Sequence, residues 1–286
     1  MSSPSVPTAE GRPRDEDLDF FGVTHAGLVR KDNQDQFLFC TVHRTIKLGG
    51  TSLPNPELLE LRSRRLASIA MVADGVGGRA GGDVASRAAV EAIVEYSIHS
   101  IHSFFGATDN EAAFIESLRS GAQVCHEAVL AQARESEEGK MATTLTMMVA
   151  VWPRLYVLQV GDSRCYLFRK GRLMRLTRDQ TMAQALVDPG VLPPDRVEKS
   201  PFANTLASSI GGRTTSPEVT TCDVEATDIT LLCTDGLTKH VSEERIIERL
   251  TNLESSEQAC RALVDDALAG GGSDNITVVV LRARRS

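Results

Sequence analysis

Apolar residues fall along this chain in short bursts, and the spacing within each burst sets the element it predicts. Phe20-Phe21-Gly22-Val23-Thr24 and residues 35–42 (DQFLFCTV) have the length and the aromatic or β-branched content of strands. Residues 69–73 (IAMVA) form a continuous apolar run that stops at Asp74-Gly75, the pattern of a buried strand ended by a turn. Ala85, Ala88, Ala89, Ala92, Ile93 and Tyr96 then recur at helical spacing, and Phe114, Leu118, Ala122, Cys125 and Val129 mark a second amphipathic helix. Strand patterns return at 143–151, 155–160 and 166–176, the last split by Lys170-Gly171, which predicts a hairpin turn. A further buried strand is expected at 229–233. Helices follow near 242–250 and 256–269, and NITVVVL (275–281) closes the series as a strand.

Strands come in neighbouring pairs and helices in separate pairs. That order predicts an α+β fold of mainly antiparallel sheets flanked by helices, not a parallel sheet with crossover helices. Residues 1–17, rich in Ser, Pro and charge, read as a disordered tail. Residues 18–286 read as one domain without internal repeat or linker. Two stretches interrupt the pattern: a surface excursion over 49–65, and an irregular segment from Thr181 to about residue 212 holding Pro189, Pro193, Pro194 and Pro201. The second is expected to form a flap over the surface.

The formal net charge of −7 argues against nucleic acid or an anionic membrane as the main partner. No uninterrupted apolar stretch is long enough to span a bilayer, and no charged-then-apolar signal opens the chain. Six cysteines include no Cys-x-x-Cys pair, and several lie inside apolar runs, so a reducing, cytoplasmic setting is expected.

The chemistry gathers at strand ends. Asn33-Gln34-Asp35, Ala73-Asp74-Gly75, Thr234-Asp235-Gly236 and Ser273-Asp274-Asn275 each set an aspartate at or beside the end of an apolar strand, and Gly161-Asp162-Ser163 follows the same plan. Taken singly, each is ordinary turn chemistry. Strands of one sheet can deliver such residues to one edge, however, and several carboxylates packed together are tolerable only with cations between them. Oxygen donors without His or Cys suit Mg²⁺ or Mn²⁺, and two such ions can activate water and neutralise a phosphoryl group.

Set in order, Arg30-Lys31-Asp32-Asn33-Gln34-Asp35, VADGVGGRAGGDVAS from Val72, Thr143-Thr144, VGDSRCYLFRKGRLMRLTRDQT from Val160, LASSIGG from Leu206, LLCTDGLTKHV from Leu231 and GGSDNITVVV from Gly271 resemble the metal-dependent protein phosphatases, the type 2C serine/threonine family, in a bacterial style. The likeness runs from about residue 20 to 282. It implies two packed antiparallel sheets with helix pairs outside, an α-β-β-α sandwich. It also implies hydrolysis of phosphoserine and phosphothreonine in partner proteins, a cognate protein kinase among them, by water activated between two Mn²⁺ or Mg²⁺ ions. By the same resemblance Asp74 bridges both ions and the Gly75 carbonyl meets one. Asp235 and Asp274 are further ligands, Asp35 acts on the metal site, Asp162 holds a third ion, and Arg30 grips substrate phosphate, a task suited to its bidentate fork. Three positions depart from the family pattern: Gln34, where some relatives have a carboxylate; Val76, where some have a proposed acid histidine; and Ala142, where glycine is usual.

Rival readings deserve a place beside this one. Gly75-Val76-Gly77-Gly78-Arg79-Ala80 also fits G-x-G-x-x-A, with Glu95 twenty positions beyond Gly75, the outline of a dinucleotide site. Asp74 would then face a pyrophosphate with like charge, and the later strands pair instead of alternating with helices. His99 and His102 read as a solvated helix face, and Arg62-Ser63-Arg64-Arg65 as a solvated basic loop. A phosphatase-like regulator without activity would be expected to lack one of Asp74, Asp235 or Asp274, and all three are present.

Overall fold

The computed structural model describes residues 11–44, 64–76, 81–100, 102, 110–136, 141–187, 189–197 and 199–284. Eleven strands among them make two sheets. One carries β1 (Leu18–His25), β11 (Ile276–Ala283), β10 (Ile229–Cys233), β7 (Arg164–Arg169) and β8 (Arg172–Arg175), in that spatial order. The other carries β2 (Asp35–Arg44), β3 (Arg64–Val76), β5 (Leu145–Val151), β6 (Arg154–Val160) and β9 (Glu218–Asp223), with the two-residue β4 (Ala142–Thr143) paired to β3. Every strand pairing is antiparallel. That excludes the crossover topology a dinucleotide site needs.

The apolar runs are continuous because these strands are covered on both faces. In β3, Ala67, Ile69 and Met71 face helices α1 (Gly81–His99) and α2 (Glu111–Glu135), whereas Ala70 and Val72 face the opposite sheet. In β11, Ile276, Val278 and Val280 face α5 (Glu243–Thr251) and α6 (Ser256–Ala269), whereas Val279 and Leu281 meet Leu232 of β10 and Val157 of β6 between the sheets. The period-two alternation thus feeds three apolar layers, and the molecule is the expected α-β-β-α sandwich.

Local chemistry agrees with the elements. Lys170 and Gly171, with φ of 50° and 80°, join β7 to β8 in a two-residue loop, the backbone a tight hairpin requires. Ser242 and Ser255 cap α5 and α6 by accepting the amides of Arg245 and Gln258. Buried Asp19 accepts the Ser256 amide at 3.0 Å and Arg282 Nε at 2.8 Å, tying β1 to α6.

Some expectations change. Of the tail expected over 1–17, the first ten residues lie outside the described residues. Residues 11–17 are placed and end in a 3₁₀ turn, Asp15–Asp17. Of the excursion expected over 49–65, residues 49–63 lie outside them as well. Arg65, read as part of a solvated loop, is only 7% exposed within β3. Its guanidinium donates to Asp15 Oδ1 at 2.6 Å and to the Pro13 carbonyl at 2.8 Å, so the N-terminal segment covers it. β9 and a short helix α4 (Asp235–Thr238) were not anticipated. The irregular segment holds a helix, α3 (Met182–Val187), and a 3₁₀ turn, Pro194–Arg196.

Candidate metal centre

All five aspartates reach the same end of the sandwich. Asp35 opens β2 and lies directly across the ladder from Asp74 near the end of β3. Asp162 sits in the β6–β7 turn, Asp235 begins α4 just after β10, and Asp274 precedes β11. A cleft of about 560 Å³ opens there, lined by Asp74, Asp162, Asp235, Asp274, Arg30 and Lys239 among others. A second hollow of about 660 Å³ continues from it past Asp162 and Lys239 toward Arg175 and the 3₁₀ turn. At the far end of the sandwich, Phe20, Met148, Trp152 and Leu281 line a small apolar cavity of about 90 Å³ that holds none of the predicted site residues.

Hydroxyls and amides position the carboxylates. The Thr144 hydroxyl accepts the Asp74 amide at 2.9 Å and touches the Ser163 hydroxyl at 2.8 Å, while the Thr143 hydroxyl and Thr144 amide donate to the Asp74 carbonyl. Asp35, 2% exposed, accepts the hydroxyls of Thr234 (2.8 Å) and Thr277 (2.7 Å) on Oδ2. Gly75 donates its amide to the Gln34 carbonyl, and a Cβ there would collide with the backbone of Gly82 at the start of α1, so only glycine lets β3 end this close to the helix. Asn275 accepts the Gln34 amide at 2.9 Å and donates to the carbonyls of Ala26 and Asp32. It thereby pins the loop that carries Arg30.

Arg30 closes bidentately on Asp274, at 2.8 and 3.1 Å. Lys239 lies 2.6 Å from Asp235 and 2.9 Å from Asp274. The motif LLCTDGLTKHV contains Lys239 but assigns it no role. Its spacing of four from Asp235, one helical turn, was the available signal. Asn275, Thr234 and Thr277 were likewise unassigned, since nothing local distinguishes them from ordinary strand-end residues. Arg164, two residues beyond Asp162, pairs with Asp179 at 2.8 Å.

The electrostatics follow from crowding. Burial pushes the Asp74 carboxyl well above the ordinary range, and the charges of Asp35, Asp235, Asp162 and Asp274 add to it. Burial also takes Asp35 up to about 7, against the hydrogen bonds from Thr277 and Thr234. Asp162 rises to about 7 through burial and the charges of Asp235 and Asp179. Burial raises Asp274 too, but hydrogen bonds and charge from Lys239 and Arg30 outweigh it and hold the carboxyl below its usual range.

Among the described residues no three His, Cys, Asp or Glu side chains form a ready coordination shell, and Lys239 and Arg30 hold Asp235 and Asp274 in ion pairs. The donor set nevertheless fits hard divalent cations. Among the described residues, Asp35 Oδ1 and Asp235 Oδ1 are buried without a hydrogen-bond partner, a costly state for a carboxylate oxygen that a cation would relieve.

A four-layer antiparallel sandwich with an all-oxygen acidic cluster at one mouth and an arginine beside it is an architecture suited to a divalent-cation centre. The chain belongs to the protein phosphatase 2C family, whose model matches residues 60–270. It is 36% identical over 217 residues to the serine/threonine protein phosphatase PstP of Mycobacterium tuberculosis, a match covering 75% of this chain and 40% of that protein's length. With the serine/threonine phosphatase stp of Listeria welshimeri it shares 31% identity over 217 residues, covering 74% and 83%. The crystal structure of the PstP catalytic domain in complex with two manganese ions superposes with a TM-score of 0.70 at 30% identity, over 94% of this chain and 99% of that one.

Proposed function

We propose that this chain is a metal-dependent phosphatase that removes phosphate from phosphoserine and phosphothreonine in other proteins. The observation that carries the reading is the convergence of five aspartates at one end of the sandwich, two with partnerless buried oxygens and four lining an open cleft beside Arg30. The manganese-bound PstP domain and the named relatives support it.

In this reading Asp74, the Gly75 carbonyl, Asp235 and Asp274 would hold two Mn²⁺ or Mg²⁺ ions, and Asp162 would serve a third. The ions supply Lewis acidity, lowering the pKa of water and neutralising phosphoryl charge. The chain's own residues do the rest. Arg30 offers two parallel N–H donors that grip phosphate oxygens and set the phosphorus in line. Asp35, fixed by Thr234 and Thr277, keeps Oδ1 as the acceptor that orients a water. The Thr143–Thr144–Ser163 hydroxyls hold Asp74 in place. Val76, at the cleft wall, offers no proton, so the departing seryl or threonyl oxygen takes its proton from solvent within the cleft.

Substrates on this reading are phosphorylated proteins, including the kinase that acts opposite the phosphatase. A reducing, cytoplasmic setting belongs to the same proposal, supported by six cysteines that all stand as free thiols. Among the described residues, no helix is long and apolar enough to cross a membrane. The test is phosphate release from a phosphothreonine peptide with Mn²⁺ and with chelator. Turnover is expected only with Mn²⁺, and Asp74→Asn should cut it by about 100-fold or more while the fold persists. Peptide binding without hydrolysis under every metal condition would overturn the enzyme reading in favour of a phosphoprotein-binding regulator.

A further inference from the structure

Lys239 follows α4, four residues after Asp235, and its ammonium stands between two carboxylates, 2.6 Å from Asp235 Oδ2 and 2.9 Å from Asp274 Oδ2. Its side chain is 28% exposed, at the boundary between the cleft and the hollow beside it. The backbone fixes it there: its amide donates to the Asp235 carbonyl at 2.9 Å. The next residue grips the opposite loop, since His240 Nε2 accepts the Ser273 amide at 3.0 Å and lies 2.8 Å from the Ser273 hydroxyl. His240 therefore pins the loop that carries Asp274 while Lys239 pins Asp274 itself. A lysine ammonium is a compact, strongly hydrated charge on a flexible stem, able to sit on carboxylates and also to withdraw from them. On those oxygens its positive charge opposes a hard divalent ion coordinating the same carboxylates.

We propose that Lys239 is a tethered counter-cation: it holds the Asp235–Asp274 pair in the metal-free chain and is driven off their Oδ2 oxygens as divalent ions load. Being part of the chain, it is never lost by dilution, so the acidic mouth stays neutralised when metal is scarce. The same occupancy weakens metal binding, because each loading event displaces an ion pair. This inference rests on the reading that Asp235 and Asp274 hold cations.

The direct test uses the unaltered full chain. A brief pulse of an amine-acylating reagent, with chelator or with Mn²⁺, is read residue by residue by peptide mass spectrometry. Lys31, an exposed lysine next to Arg30, serves as reference. Labelling of Lys239 should rise several-fold with Mn²⁺ while Lys31 stays level. An unchanged Lys239 signal under Mn²⁺ concentrations that calorimetry shows to saturate the protein overturns the displacement and leaves the metal site standing. Wild-type protein that takes up no Mn²⁺ overturns both. In a second arm, calorimetric titration should find Lys239→Gln binding Mn²⁺ roughly tenfold tighter than wild type and melting lower in chelator. Lys31→Gln removes the same charge nearby and should stay within about twofold of wild type. Equal gains for both variants would reduce Lys239 to a general field effect and sink the proposal.

Discussion

At Asp35 two threonine hydroxyls hold one carboxyl oxygen and, among the described residues, nothing holds the other. The group lies between β2 and the ends of β10 and β11, so its solvation is lost while its negative neighbours remain. The folded carboxyl rises to about 7, above its unfolded value of about 3.9. Such a group favours the folded state below the unfolded pKa, and that advantage is lost as pH rises through about 7. In chelator, therefore, Asp35→Asn should gain thermal stability relative to wild type between pH 5 and 8. A melting-temperature difference that stays flat over that range would mean the carboxyl is already ionised in the fold. Arg30 makes a different kind of contribution. It is 56% exposed and, among the described residues, ion-paired with Asp274 alone, so it adds little to stability and is available to a ligand. Arg30→Ala should raise KM for a phosphopeptide by about tenfold, with a smaller effect on kcat and no loss of Mn²⁺ affinity. Steady-state kinetics beside calorimetry separates these outcomes.

At the scale of elements, the segment expected to form a flap is fastened at its roots. Thr181 bridges Leu206, the Ala207 amide donates to the Gln180 carbonyl at 2.8 Å, and Gln180 also receives the Gly161 amide beside Asp162. These bonds carry Asn204, Thr205 and Leu206 into the wall of the cleft, while Val191 and Phe202 stand exposed on the flap, 69% and 48%. A protein substrate would meet this surface and a small ester would not. Exchange of residues 184–203 for the flap of another family member should shift phosphopeptide preference several-fold while changing nitrophenyl phosphate turnover by less than about twofold. Equal changes in both would assign the flap to the architecture of the metal centre and not to recognition.

Across the whole molecule, three apolar layers hold the carboxylates against their mutual repulsion. The layer between the sheets fixes how the ends of β3 and β10 face each other. Leu232 lies in it, fully buried against Val279 and Leu281. Leu232→Ala should cost about 2–4 kcal/mol in urea unfolding, the usual range for a buried leucine that leaves a cavity. A loss below about 1 kcal/mol would mean the sheets close over the gap. Small displacements between the sheets move Asp235 relative to Asp74, so the same variant should also bind Mn²⁺ more weakly.

Most strands and helices were legible because both faces of the strands are buried, which writes continuous apolar runs such as IAMVA and TVVV into the chain. β9 was not legible, because EVTTCD is a half-exposed edge strand with no apolar run to mark it. The aspartates were legible as strand-end residues, and the ordered motifs identified the family. What the sequence by itself determined is therefore which residues end strands, which are buried, and which carry negative charge, since burial and turn chemistry act locally. Only the tertiary structure decided that five aspartates share one mouth, that Thr234 and Thr277 leave one Asp35 oxygen without a partner, and that Lys239 stands between Asp235 and Asp274. Those facts depend on how two sheets pack across layers, and residues as far apart as Asp35 and Thr277 meet only when the whole core has formed.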